Sequence, residues 1–356
     1  MKLTRTLIAS ILIAALALPT SAARSLCQPS DAYAATKTAA KPAKTKVRTV
    51  KLKARTLTAG KALTLRLPAS AAKKARWSSS NKSIATVSSK GRVKAKKAGR
   101  CTIRAKVGTK TYTCRLTVKK APTIASGTLR DTVFSLVSSA ENSTLAYKGT
   151  YAYIEDIGDG RGYTCGIIGF TSGTGDLLDV VETYVKLKPK NNGLAHFVDA
   201  LRRVNGTASH KGLGTPFVKA WKTACRDKEM IEAQNRILKQ QYLDPAIKAA
   251  KKDGLGPLGQ YIYYDALVVH GPGADSDSFD GIRAAALKKA KAPAKGGKEG
   301  TYLKAFLAVR SKVMLKEEAH SDLSRIKAQR AFVDAGNFSL SRPLSWTMYG
   351  DRFTLS

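Results

Sequence analysis

The rhythm of apolar and polar positions changes three times along the chain. After the charged opening MKLTR comes the apolar run LIASILIAALAL, followed by small residues. That order of charged, apolar and small-residue regions predicts a secretory signal over residues 1–34, with cleavage after Ala23 or after Ala34. The run is shorter than the roughly 18 residues that cross a bilayer, and no later run is longer, so no membrane span is expected. AATKTAAKPAKTK at 35–47 has no apolar period, and its like charges predict an extended basic linker. From 48 to 119 the period becomes two: VKLKA, LTLRL, IATVS, GRVKAK, RCTIRAKV and TYTCRLTV alternate between turn signals, which predicts a small all-β sandwich. A short linker, 120–126, follows. Beyond it the period becomes helical in DTVFSLVSSAENSTLAY, AHFVDALRRV, TPFVKAWKTACRDKEMIEAQNRILKQQ, LGQYIYYDALVV, FDGIRAAALKKA and TYLKAFLAVRSKVML. Residues 127–356 therefore read as one mainly α domain, with loop or short-strand character from 151 to 175. The whole is a multidomain protein, secreted and extracellular or cell-wall associated, and a monomer is expected.

Cysteine placement adds a constraint. Cleavage after Ala34 removes Cys27 with the leader, and RSLC lacks the leucine usual three positions before a lipidated cysteine. An even set remains: Cys101, Cys114, Cys165 and Cys225. If Val107-Gly108 forms the loop of the last hairpin, Cys101 falls directly opposite Cys114 in a non-hydrogen-bonded pair, whose close Cα atoms suit a disulfide. The bland reading is two small buried hydrophobes. A link between Cys165 and Cys225 and a plain buried Cys165 thiol stay open alternatives.

Charge is distributed unevenly. The formal net charge is +37, yet residues 1–120 hold 29 Lys and Arg against one acid, Asp31, whereas residues 121–356 hold 33 against 24. Such asymmetry marks two modules. Against this background residues 131–182 carry eight acids and two bases. YIEDIGDGRGYT concentrates Glu155, Asp156 and Asp159 between glycines, in a stretch that lacks the alternating ligands and closing Glu of an EF-hand calcium loop. His196, His210, His270 and His320 make no zinc pattern, and neither metal nor cofactor is implied.

Two of these acids sit in contrasting surroundings. Val133, Phe134, Val137, Ala140 and Glu141 follow i, i+1, i+4, i+7, i+8, which puts Glu141 on the apolar stripe expected to face the core. Burial there raises a carboxyl pKa and favours a general acid, although a Glu paired to a core Arg explains the position equally well. Asp159, among Gly158, Gly160 and Gly162 and beside Arg161, is expected to stay solvated and ionised; plain turn chemistry is the alternative. Carboxyls in opposed environments suggest an acid and a base.

WSSSNKSIATVSSKGRVKAKKAGRCTIRAKVGTKTYTCRLTV resembles the group-2 bacterial immunoglobulin-like domain, which implies a spacer or binding unit and no chemistry. SSAENS, YIEDIGDGRGYT, GFTSGTGD, NGTASHKGLGTPF and YYDALVVHGPG resemble the chitosanases of glycoside hydrolase family 46, from about 131 to the terminal YGDRFTLS. That resemblance implies a mainly α, two-lobed, lysozyme-like catalytic domain. It also implies endo-hydrolysis of β-1,4 bonds between glucosamine units with inversion. Glu141 then matches the general acid, Asp159 the general base and Thr164 the threonine that positions the attacking water. Tyr153, Glu155, Asp156, Arg161, Asp176, His270 and Glu317 match substrate-groove positions, with Asp176 the strongest for an ammonium and His270 equally well a turn histidine. Asp265, Arg310 and Arg325 match an ion network behind the carboxyls. The chain departs from the family at Ser321, where an acid is expected, and at Cys165, where glycine is common.

Chitosan is a polycation, so its cleft must be anionic whatever the protein's net charge. The basic N-terminal module would repel it and would be drawn instead to an anionic cell-wall polymer. Nucleic acid is disfavoured by export and by the lack of interleaved aromatics. A muramidase on a related fold is the alternative activity, although peptidoglycan lacks the free amines that so many acids would need; a dead hydrolase domain is disfavoured by the intact Glu141, Asp159 and Thr164.

Overall fold

The computed structural model describes residues 47–316 and 321–356. The leader, nearly all of the basic linker, Cys27, Glu317 and His320 lie outside the described residues.

The period-two segment folds as two β-sheets. Strands β1 (Arg48–Lys51), β2 (Arg55–Thr58), β3 (Ala62–Thr64), β4 (Arg76–Ser79), β5 (Ala85–Val87), β6 (Arg92–Ala95), β7 (Gly99–Val107) and β8 (Lys110–Lys119) are interrupted by the single turn α1 (Ala69–Ala72). One sheet runs β1-β8-β7-β4, with β2 following β1 along the same edge of β8; the other runs β3-β6-β5. Alternation decides the faces: Cys101, Ile103, Cys114, Leu116 and Val118 of the first sheet close over Ala85, Val93 and Ala95 of the second. The intervening Lys, Arg and Thr side chains point outward.

The register corrects the expected disulfide. Val107 pairs with Lys110, so the hairpin loop is Gly108-Thr109, with Gly108 at φ +56° in the first loop position. This two-residue loop moves every pairing, and Cys101 faces Leu116 while Cys114 faces Ile103. The two thiols are diagonal neighbours, a relation that leaves about 7–8 Å between backbones where a disulfide needs less. Both are buried and free, and burial pushes both thiols up. Cys165 and Cys225 are also free, and the Cys225 thiol donates to the Tyr151 carbonyl at 3.1 Å.

The remainder is mainly helical: α2 (Gly127–Asn142), α3 (Asp176–Leu187), α4 (Val198–Val204), α5 (Gly214–Ala224), α6 (Lys228–Ile237), α7 (Asp244–Asp253), α8 (Pro257–His270), α9 (Phe279–Lys289), α10 (Glu299–Met314) and α11 (Ser324–Asp334). Helix α8 is enclosed from Pro257 to Leu267, as its near-continuous apolar sequence requires of a central helix. Tyr261, Tyr263, Tyr264, Tyr302 and Phe306 are fully buried there. Two small antiparallel sheets complete the domain: β9 (Ile154–Asp156), β10 (Tyr163–Cys165) and β11 (Phe170–Thr171), and the hairpin β12 (Leu344–Met348) and β13 (Asp351–Leu355). No helix among the described residues is long and apolar enough to cross a membrane.

Candidate active site

Glu141 occupies the last turn of α2, which stops at Asn142 because Ser143 turns left-handed at φ 47°. The apolar stripe is buried through Ala140 and ends there. Glu141 itself keeps 34% of its side chain exposed, so the expectation that it faces the core is not met. Helical period assigns a residue to a face; it does not say how far along the helix that face stays covered. Pairing replaces burial: Arg325, with a side chain only 3% exposed, donates from Nη2 to Glu141 Oε1.

Behind this pair runs a string of buried charges. Arg325 Nε lies 3.6 Å from Asp265 Oδ1, and Asp265 Oδ2 accepts from Arg310 Nη1 at 2.6 Å and from Gln329 Nε2 at 2.7 Å. Asp265 and Arg310 are wholly enclosed. Burial alone would raise the Asp265 carboxyl, but Arg325 and Arg310 together outweigh it and hold the group below the usual range. Burial likewise works against the Arg325 cation, and Asp265 and Glu141 overcome it, so Arg325 stays firmly charged. Arg310 continues the string by donating from Nε to His270 Nε2 at 3.1 Å. His270 ends α8 and lines a cavity of about 230 Å³ with Asp275, Asp277 and Lys316.

Asp159 sits on the β9–β10 hairpin, where Gly158, Gly160 and Gly162 take φ of +73°, +79° and +71°. At Gly162 a side chain would also meet Ser172 Oγ at 2.3 Å, so both backbone shape and space demand glycine. The loop folds Arg161 back onto Asp159: its N–H donates to Oδ1 at 2.9 Å, and Nε and Nη2 donate to Oδ2 at 2.8 and 2.5 Å. Asp159 is consequently less exposed, at 23% of its side chain, than Glu141. This reverses the expected order of solvation, because the neighbouring arginine covers the carboxylate.

The three-stranded sheet gathers the remaining acids around Asp159. Tyr163 pairs with Asp156, Thr164 with Glu155 on one side and with Thr171 on the other. Tyr153 donates to Glu155 at 3.0 Å; burial and that carboxylate push the phenol up to about 12. His210 stacks on Tyr163 with ring centres 4.0 Å apart and reaches to 3.4 Å from Asp156 Oδ2. Thr164 Oγ1 is buried without a hydrogen-bond partner among the described residues, which in a folded protein asks for an explanation.

Asp176 opens α3 and is buried, which raises its carboxyl; four donors oppose the rise. Oδ1 takes the N–H groups of Thr171 and Leu177 and the Thr174 hydroxyl, each at 2.9 Å, and Oδ2 takes the Tyr242 hydroxyl at 2.7 Å. One lone pair on Oδ2 is left over. Every proposed site residue except Glu317 is thus described. Glu141 and Arg325 join the Asp265 and Arg310 string, while Tyr153, Glu155, Asp156, Asp159, Arg161 and Thr164 share the small sheet and its hairpin.

Three supporting residues gave no signal in the sequence. Tyr349, at φ +52° in the β12–β13 turn, donates its hydroxyl to the Ala140 carbonyl at 3.1 Å and its N–H to Ser324 Oγ at 3.2 Å. It fastens the end of α2 to the start of α11, the elements that carry Glu141 and Arg325. Gln329 completes the Asp265 shell, and Trp221 donates to the Tyr153 carbonyl at 3.0 Å. Their partners lie 25 to 209 residues away, beyond any local pattern.

Comparison with known proteins agrees on both modules. Residues 135–344 match the model of glycosyl hydrolase family 46, and residues 36–118 match the group-2 bacterial Ig-like domain. A chitosanase from Streptomyces sp. (strain N174) is 56% identical over 228 residues, 64% of this chain and 82% of that relative. A chitosanase from Bacillus subtilis (strain 168) is 36% identical over 223 residues, 59% of this chain and 78% of that relative. A chitosanase co-crystallised with substrate superposes with a TM-score of 0.64 at 49% identity, over 66% of this chain and 100% of that one. The chain belongs to glycosyl hydrolase family 46 and is a glycoside hydrolase whose matched relatives are chitosanases, with a group-2 bacterial Ig-like domain on its N-terminal side.

Proposed function

We propose that the enzyme hydrolyses β-1,4 bonds inside chitosan by a single displacement with inversion. The observation that carries the reading is the contrasting grip on two carboxyls: Glu141 by a buried arginine string, Asp159 by its own turn. Glu141 gives a proton from Oε2, the oxygen away from Arg325, to the glycosidic oxygen as the C–O bond breaks. Asp159 takes the proton of a water that attacks the opposite face of the sugar. Two carboxylate oxygens offer about four lone pairs, and Arg161 uses three of them, so the water's proton goes to the one left on Oδ1. Thr164 Oγ1, otherwise unpartnered, accepts a hydrogen bond from the water's other O–H, which turns the water's lone pair toward the anomeric carbon while that hydrogen stays on the new hydroxyl. Attack from the far side turns a β-linkage into an α-anomer.

Substrate choice follows from charge. Glu155, Asp156 and Asp176 present carboxylates where a deacetylated sugar brings ammonium groups, and the spare lone pair on Asp176 Oδ2 suits one such N–H. Peptidoglycan offers no comparable free amines. The leader implies export, and the basic β module, with 21 Lys and Arg and no acid over residues 48–119, suits attachment to an anionic wall polymer. Wild type and Glu141→Gln are compared on highly deacetylated chitosan and on peptidoglycan. Release from chitosan alone, lost in the variant, supports the reading; release from peptidoglycan alone rejects it.

A further inference from the structure

We propose that a groove on the β module, floored by Trp77 and rimmed by Arg66, Lys73 and Lys90, is the site that grips a phosphodiester-linked sugar or polyol chain. The inference rests on the wall-attachment reading above and gives it a place and a geometry. The groove encloses about 480 Å³, within the range of sites that hold small ligands, and suits one or two repeat units. Arg66, Lys73 and Lys90 are exposed, and none of them forms an ion pair among the described residues; residues 48–119 themselves contain no Asp or Glu. Three uncompensated cations around one concavity repel one another in the free protein, and a bound polyanion relieves that repulsion.

The tryptophan supplies the second argument. Trp221 and Trp346 satisfy their indole N–H groups, donating to the Tyr153 carbonyl and to Ser139 Oγ, each at 3.0 Å. The Trp77 N–H has no protein acceptor among the described residues, and the ring is only half-buried. Gly91 lies against its edge so closely that a side chain there would meet Cζ2 at 2.8 Å, which fixes the ring from behind. A half-buried indole in the lining of the groove, held against Gly91 and with its donor unused, offers apolar contact to the C–H face of a sugar or polyol and a hydrogen bond to a phosphate oxygen. Thr64 and Ser89, also in the lining, add hydroxyls for the same chain. Nucleic acid fits less well, since one aromatic floor cannot stack successive bases.

The test uses the full-length protein and soluble poly(glycerol phosphate), titrated by calorimetry at low and at physiological salt. Two triple variants are compared: Arg66→Gln/Lys73→Gln/Lys90→Gln in the groove, and Arg104→Gln/Lys106→Gln/Arg115→Gln on the outward face of β7 and β8. Both remove three charges from exposed positions, so the fold is kept in each. The inference predicts affinity at least about tenfold weaker for the groove variant and a several-fold smaller loss for the other. Trp77→Phe, which keeps a ring but removes the donor, falls between them. Equal losses in the two triple variants overturn the groove while leaving wall attachment by diffuse charge intact. No binding by the wild type at low salt overturns both. Binding to a single-stranded oligonucleotide but not to poly(glycerol phosphate) overturns the ligand class.

Discussion

The β module and the catalytic domain hold charge in opposite ways. In the module 21 cations stand on a sandwich whose interior is entirely apolar, and no acid between residues 48 and 119 is there to pair with them. In the catalytic domain charges are organised against one another: Arg161 on Asp159, Arg325 on Glu141, Arg310 on Asp265. Charge on the module has no acid within the module to pair with, whereas the charges at Glu141 and Asp159 are held in fixed ion pairs. A net charge of +37 therefore says nothing about the field in the cleft, where a polycation is to be bound.

The largest effect that sharpens this contrast is on catalysis. Neutralising either cleft carboxyl, Glu141→Gln or Asp159→Asn, is expected to slow chitosan hydrolysis by about 10²- to 10⁴-fold with the fold retained by circular dichroism. The Arg104→Gln/Lys106→Gln/Arg115→Gln variant should hydrolyse a soluble short glucosamine oligomer at the wild-type rate.

Stability should divide the same way. Asp265→Ala leaves Arg310 and Arg325 buried without their shared counter-ion, and a loss of about 3–5 kcal/mol in denaturant unfolding is expected. Arg104→Ala on the module should stay within about 0.5 kcal/mol. A loss for Asp265→Ala no larger than that would mean the string is solvated in solution.

Acid offers a third separation. Asp265 titrates lower in the folded than in the unfolded chain, so its contribution is present above the unfolded value near 3.9 and is lost as pH falls through the folded value. Residues 48–119 contain no Asp, Glu or His, so nothing in the module titrates between pH 3 and 7. Thermal scans over that range should show one transition that falls at low pH and one that does not. Two transitions falling together would contradict the division.

The smallest effect concerns the clamp at the end of α2. Tyr349→Phe removes the donor to Ala140 and should cost about 0.5–1.5 kcal/mol, with a few-fold fall in kcat and little change in KM as Glu141 loses its fixed position.

Much of this was legible in the sequence because period and composition are local properties. Alternation from 48 to 119 gave the sandwich, and GDGRG gave a turn with an acid at its tip. What escaped depends on coordinates that no window contains. A loop at Gly108-Thr109 rather than Val107-Gly108 shifts the register and parts Cys101 from Cys114. Glu141 lies on the apolar stripe but past the level where neighbours cover it. Arg161 shields Asp159 more than an open glycine turn suggests. Tyr349 and Gln329 act across 209 and 64 residues, with nothing nearby to mark them.

The central claim is that Glu141 and Asp159 act as acid and base in a single displacement on chitosan. Proton NMR of the wild-type enzyme during the first moments of chitosan hydrolysis, before mutarotation, tests it most directly. The account predicts that the α-anomer of the new reducing end appears first; initial appearance of the β-anomer would contradict it.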